Sequence, residues 1–214
     1  FRCTAPLGKI NSPSLFIATA ERYTLMPYID RWVVENVFRY VTGWQQSGLA
    51  FPFGHLAVNV SGASLGLRDF PAFVRQQIEQ YGIDPALLCF EITESCAVSN
   101  VDQALDFIEQ MHAIVATMSL DDFGSGLSSF GYLKRFKVDY LKIDGMFVKN
   151  IDQDPSDHAV VEAIVQLARV HGLATIAEYV CNPAIDRIVQ EIGVDYAQGF
   201  IRHVPEPLPA LPKG

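Results

Sequence analysis

Two adjacent carboxylates, Asp121 and Asp122, stand where an apolar run gives way to glycines in Ser119-Leu120-Asp121-Asp122-Phe123-Gly124-Ser125-Gly126. Side by side they repel unless a cation or a shared proton relieves them, so near neutral pH the pair favours a divalent metal ion. Ile114, Val115, Met118 and Leu120 suit a buried strand ending at Asp121, and Gly124 and Gly126 permit a tight turn or close approach to a ligand. An Asp-Asp pair before glycine also forms solvated turns, so these residues alone leave both site and turn open.

The elements on either side decide between them. Helical spacing runs over about 28–44, with Ile29, Trp32, Val33, Val37, Val41 and Trp44 on one face and Asp30, Arg31, Glu35 and Arg39 opposite. Further helices are expected over about 70–81 (stopped by Gly82), 101–112, 156–171 and 183–192. Between them lie apolar strands over 56–60, 87–92, up to Asp121, 138–144, 173–178 and 194–200. Residues 1–13 read as the tail of a strand and a loop, and 204–212 as a proline-rich surface tail.

Alternating strands and helices with right-handed crossovers predict an α/β fold with a parallel sheet. The strands end in Asn59, Glu91, Asp121 with Asp122, Lys142, Glu178 and Gln198. In a TIM-like (β/α)8 barrel such ends converge on one face, where catalytic groups sit. Polar ends on six strands in succession, a lysine among carboxylates, favour a site over a set of turns. Two more strands would be needed to close the barrel, so the first strands are expected to be absent from the chain.

Half of the 214 residues are hydrophobic, enough for one domain with a substantial core. The triplet Asp122-Phe123-Gly124 matches the magnesium-binding triplet of protein kinases, yet no His-Arg-Asp loop or phosphate-covering glycine loop precedes it. A net charge of -8 argues against a polymeric nucleic acid as partner, but not against a small phosphorylated ligand held through metal ions. Cys3, Cys89, Cys96 and Cys181 form no Cys-x-x-Cys motif, and the five histidines have no ligand spacing, so any metal should be oxygen-liganded. The cysteine pattern suits a reducing cytoplasm, and no run of about 18 apolar residues predicts a membrane span. A start at Phe1 marks the chain as a fragment, whose parent could be membrane-attached through other segments.

The ordered set Ala20-Glu21-Arg22-Tyr23, Val58-Asn59-Val60-Ser61, Glu91-Ile92-Thr93-Glu94-Ser95, Asp121-Asp122-Phe123-Gly124, Leu141-Lys142-Ile143-Asp144, Ile176-Ala177-Glu178 and Gln198-Gly199-Phe200 resembles the EAL domain family. These are bacterial phosphodiesterases of cyclic di-GMP. The resemblance implies that residues 1–214 are a single EAL-type barrel, the C-terminal domain of a larger multidomain protein. It implies hydrolysis of cyclic di-GMP to linear pGpG with two magnesium or manganese ions, or else a catalytically weak receptor for the same nucleotide. By the same resemblance Asn59, Glu91, Asp121 and Asp122 would hold metal, and Lys142 and Glu178 would serve catalysis. Asp144 and Gln198 would bind substrate, and Glu94 would position the loop after the Asp pair. A homodimer and an upstream GGDEF or sensory domain are further expectations of the family.

The chain departs from the family pattern in places. The signature Glu and Arg of the Glu-x-Leu-x-Arg strand should precede Phe1. Ala177-Glu178-Tyr179-Val180-Cys181 stands where Ala-Glu-Gly-Val-Glu is usual, replacing a second carboxylate with a thiol. Leu127 replaces an aromatic residue, and Val204 an arginine.

Overall fold

The computed structural model describes residues 3–4, 10–11, 13–49, 51–126 and 130–211. Leu127 and the N-terminal Pro6 and Gly8 lie outside these residues. The chain opens with β1 (Cys3–Thr4) and β2 (Ile10–Asn11), which pair antiparallel, and continues into helix α1 (Pro13–Arg22). Neither a hairpin nor a helix was expected here. Proline suits the first helical position, where its missing N–H costs nothing, so Pro13 starts a helix rather than ending a loop.

Helix α2 (Met26–Gln46) buries Met26, Asp30, Val34, Phe38 and Val41. This corrects the expected face. Trp32 is 51% exposed, while Asp30 lies in the buried stripe. Apolar residues surround much of this helix, so its periodicity does not single out one stripe, and a partner for the Asp30 carboxylate decides which side turns inward.

The main sheet follows. It holds β3 (Leu56–Asn59), β4 (Leu88–Thr93), β5 (Thr117–Phe123), β6 (Tyr140–Ile143), β7 (Ala174–Ala177) and β8 (Tyr196–Ala197). Between β3 and β4 come α3 (Gly62–Leu65), α4 (Phe70–Tyr81) and one 3-10 turn, Pro85–Leu87. Helices α5 (Glu94–Ser99) and α6 (Val101–His112) lead to β5, and α7 (Phe130–Leu133) leads to β6. Helices α8 (Gly145–Val148) and α9 (Pro155–His171) precede β7, and α10 (Pro183–Ile192) precedes β8.

All six strands are parallel and pair in chain order, forming a curled half-barrel of the expected TIM-like type. Two expectations along the way fail. Val115 adopts φ +68 and is 71% exposed in the turn before β5, so the buried strand begins only at Thr117. The last strand is a two-residue ladder rather than 194–200, because the chain turns away after Gln198.

Helices cover the outer face. Phe107 of α6 lies 5.9 Å from Phe90 of β4 and 6.0 Å from Phe70 of α4, so three buried rings pin both helices to the sheet. Each buried ring contributes roughly 1.5–3 kcal/mol. Polar groups at the N-terminal end of the sheet hold strands together. Asp139 accepts from Met118 N at 2.8 Å and meets His112, and Asp195 accepts from Thr175 N and Oγ1 at 2.7 and 2.8 Å. The C-terminal tail packs on α2, where the Tyr40 hydroxyl donates to the Pro209 carbonyl at 3.1 Å.

Candidate active site

At the other end of the sheet, β5 does not stop at Asp121. Leu120 pairs with Leu141 and Phe123 with Ile143, so Asp121 and Asp122 together oppose the single residue Lys142. This two-to-one pairing is a β-bulge. Asp122 takes φ +54, a left-handed conformation that Asp tolerates better than most residues, and its amide donates to Asp121 Oδ1 at 3.1 Å. In an unbroken strand the two side chains would point to opposite faces. With the bulge, one oxygen from each and one from Glu178 all lie within 4.8 Å of one another.

Lys142 stands at the centre of the group. Its Nζ lies 2.8 Å from Asp121 Oδ1, 2.8 Å from Glu178 Oε1 and 3.3 Å from Glu91 Oε2. The residue is buried, and burial by itself favours loss of the proton. The charges of Glu91, Asp121 and Glu178 outweigh that and raise its pKa, so Lys142 is a standing cation. Burial pushes the Glu91 and Glu178 carboxyls up, with Lys142 offsetting part of the shift. Burial also raises Asp122, followed by the charges of Asp121 and Asp144.

This one ammonium group meets the carboxyl groups of Glu91, Asp121 and Glu178, with Asp122 beside Asp121, so negative charge is in surplus. Hard oxygen donors crowded this closely fit magnesium or manganese, and a divalent cation would supply the missing positive charge.

The other expected residues fall around this group. Asn59 is exposed at the end of β3, in register with Glu91. Asp144 caps α8 by accepting from Met146 N at 2.8 Å. Gln198 is exposed just past β8, and its backbone links Ala177 O and Val180 N. Among the described residues no hydrogen bond joins the side chains of Asn59, Asp144 or Gln198 to the lysine group.

Glu94, the first residue of α5, is 1% exposed, and its Oε2 accepts from Gly124 N at 2.7 Å. A methyl group on Gly126 would stand 2.5 Å from Glu94 Oε1. Gly124 itself has φ +100, so a residue without Cβ is needed where the chain leaves the bulge.

Asp30 was not anticipated as part of this architecture. Its Oδ2 accepts from Ser61 N at 3.0 Å, Ser61 Oγ at 2.5 Å and Ser64 Oγ at 2.6 Å. These bonds fix the segment two residues beyond Asn59. Met26, Asp30, Val34 and Phe38 share the buried stripe at four-residue spacing, but the apolar residues on the other side of the helix carry a competing pattern.

Strand ends bearing oxygen donors around a lysine define a barrel-type protein with an acidic group that could hold a cation at the C-terminal mouth of its sheet. The comparisons sharpen that class. The EAL domain family matches residues 1–203, and the chain belongs to this family. It is 39% identical over 211 residues to the cyclic di-GMP phosphodiesterase PdeB of Shewanella oneidensis, covering 97% of this chain and 24% of that protein. Among solved structures, the PaMucR phosphodiesterase in complex with c-di-GMP superposes with a TM-score of 0.89 at 33% identity, covering 96% of this chain and 83% of that one. The Xanthomonas citri FimX EAL domain in complex with c-di-GMP superposes at 0.87 with 29% identity, covering 97% and 80%. The chain spans about a quarter of the length of the curated relatives it matches. Among the described residues, no helix is long and apolar enough to cross a membrane.

Proposed function

We propose that the chain is the catalytic portion of a cyclic di-GMP phosphodiesterase that opens one phosphodiester to give linear pGpG, using two magnesium or manganese ions. The observation that carries this reading is the bulge in β5, which turns Asp121 and Asp122 toward Glu178 opposite the buried Lys142. The names of the related phosphodiesterases and the nucleotide in the solved relatives support the choice of substrate.

Asn59, Glu91, Asp121 and Asp122 would hold the ions, which when bound supply Lewis acidity and a water of lowered pKa. Lys142 keeps its proton near neutral pH, so it balances the carboxylates and attracts phosphoryl oxygens rather than acting as a base. Glu178, grouped with Asp121 and Asp122 and bonded to Lys142, orients the attacking water. Asp144 and Gln198 line the same mouth and contact substrate. Glu94 holds the loop that follows the metal-binding pair. Dimerisation and a neighbouring GGDEF or sensory domain belong to the same proposal.

A second reading, a receptor that binds the nucleotide intact, draws on the exposed thiol of Cys181 at a position where the family has a carboxylate. Chromatographic detection of pGpG after adding magnesium separates the two. The enzyme forms product and loses that activity in Asp121→Ala; unchanged turnover in the variant would sink the mechanism. Tight binding in chelator with no product after magnesium is added would establish the receptor.

A further inference from the structure

We infer that Tyr179 is a specificity-determining residue at the mouth, an aromatic wall against which a planar base of the nucleotide stacks; the inference rests on the site being one for a cyclic dinucleotide. Tyr179 directly follows Glu178 and adopts φ +59, a conformation that L side chains rarely take. Its backbone is fixed on both sides. Glu178 N donates to Ile143 O at 3.3 Å, and Val180 exchanges bonds with the next segment, donating to Gln198 O at 3.0 Å and accepting from Ile201 N at 3.2 Å.

The ring is fixed at its root. A methyl group on Gly145 would stand 2.8 Å from Tyr179 Cβ and 3.4 Å from Cγ, so the side chain leans on the first residue of α8, beside Asp144. Yet Tyr179 is 61% exposed. The core gains little from the ring, and a glycine would take this backbone shape without strain. An aromatic side chain held in a disfavoured conformation, anchored at its base and open above, is pre-organised for a flat ligand. Tyr179 follows Glu178 in the chain and its Cβ abuts Gly145, the neighbour of Asp144, so a phosphodiester over the carboxylates would bring its flanking base near the ring.

The test uses the full-length protein with Tyr179→Gly and Tyr179→Phe, measuring KM and kcat for cyclic di-GMP with magnesium, or Kd if there is no turnover. Thermal unfolding provides the folding control, and glycine at this φ should leave it unchanged or raised. Loss of the stacking face should weaken KM or Kd about tenfold with kcat little changed, and Tyr179→Phe should match the unsubstituted protein. Unchanged KM or Kd in Tyr179→Gly overturns this inference alone, as does an equal loss in Tyr179→Phe. Failure of the unsubstituted protein to bind or cleave cyclic di-GMP overturns the functional reading and this inference with it.

Discussion

Glu94 Oε2 accepts the Gly124 amide at 2.7 Å across thirty positions of sequence, so the start of α5 is tied to the exit of the bulge in β5. The carboxylate is almost wholly buried, and the bond acts on the backbone two residues past Asp122. It holds the backbone next to that side chain from outside the acidic group of Asp121, Asp122 and Glu178.

Removing this tie should therefore cost rate more than stability. Glu94→Gln keeps the shape of the side chain but weakens the charge-assisted acceptor, and Glu94→Ala removes it. The alanine variant is expected to lose about 10²-fold in kcat, the scale of an ångström-sized misplacement. Gly126→Ala should reproduce much of this loss, because the added methyl would run into the same carboxylate. A double variant costing no more than Glu94→Ala alone would establish the shared cause; full additivity would refute it.

Lys142→Met removes the ammonium that, among the described residues, pairs with Glu91, Asp121 and Glu178. Breaking a buried ion pair from one side typically costs about 3–5 kcal/mol. Without divalent cation, the variant should melt well below the parent, and magnesium should recover more of its Tm than it adds to the parent. No difference in the response to magnesium would contradict the charge balance proposed for this site.

The pH dependence follows from the three raised carboxyls. Glu91, Asp122 and Glu178 bind their protons more tightly in the native state than the unfolded values of 4.5, 3.8 and 4.5. Their contribution is thus complete below those values and is lost as pH rises through the native ones. In chelator, Asp122→Asn and Glu178→Gln should flatten the corresponding fall in stability above pH 4.5, measured by denaturant titration over a series of pH values. An undiminished slope in both variants would contradict the assignment.

Asp30→Ala leaves the hydroxyls of Ser61 and Ser64 without their acceptor. A buried group left unpaired costs roughly 1–3 kcal/mol, and each kcal/mol lowers Tm by about 2–4 °C in a domain of this size. Calorimetry should show that drop.

Thiol labelling distinguishes the cysteines. Burial pushes the Cys89 thiol up to about 11, whereas Cys181 is exposed. A maleimide at pH 7 should modify Cys181 in the folded protein and reach Cys89 only after unfolding.

Much of this architecture was legible in the residues. The alternation of strands and helices, and the polar residue near each strand end, single out Glu91, Lys142 and Glu178, whose side chains meet in the structure. The bulge was not legible. Strict alternation sends Asp121 and Asp122 to opposite faces, and only the pairing of Leu120 and Phe123 with Leu141 and Ile143 shows how both come to oppose Lys142. Asp30 was misplaced for a related reason, since its partners Ser61 and Ser64 lie far along the chain and a helical pattern carries no information about them. Helix α1 was hidden because Pro13 can either end a loop or begin a helix.

The sheet pairs its strands in the order in which they occur in the chain. During synthesis each ladder can form as its second strand leaves the ribosome, without waiting for a distant segment. Glu91 and Asp121 emerge as neighbours of like charge, Lys142 arrives one strand later, and Glu178 completes the group from just past the end of β7. If β4 and β5 pair before β6 emerges, their apolar packing has to bear that repulsion until translation delivers the lysine.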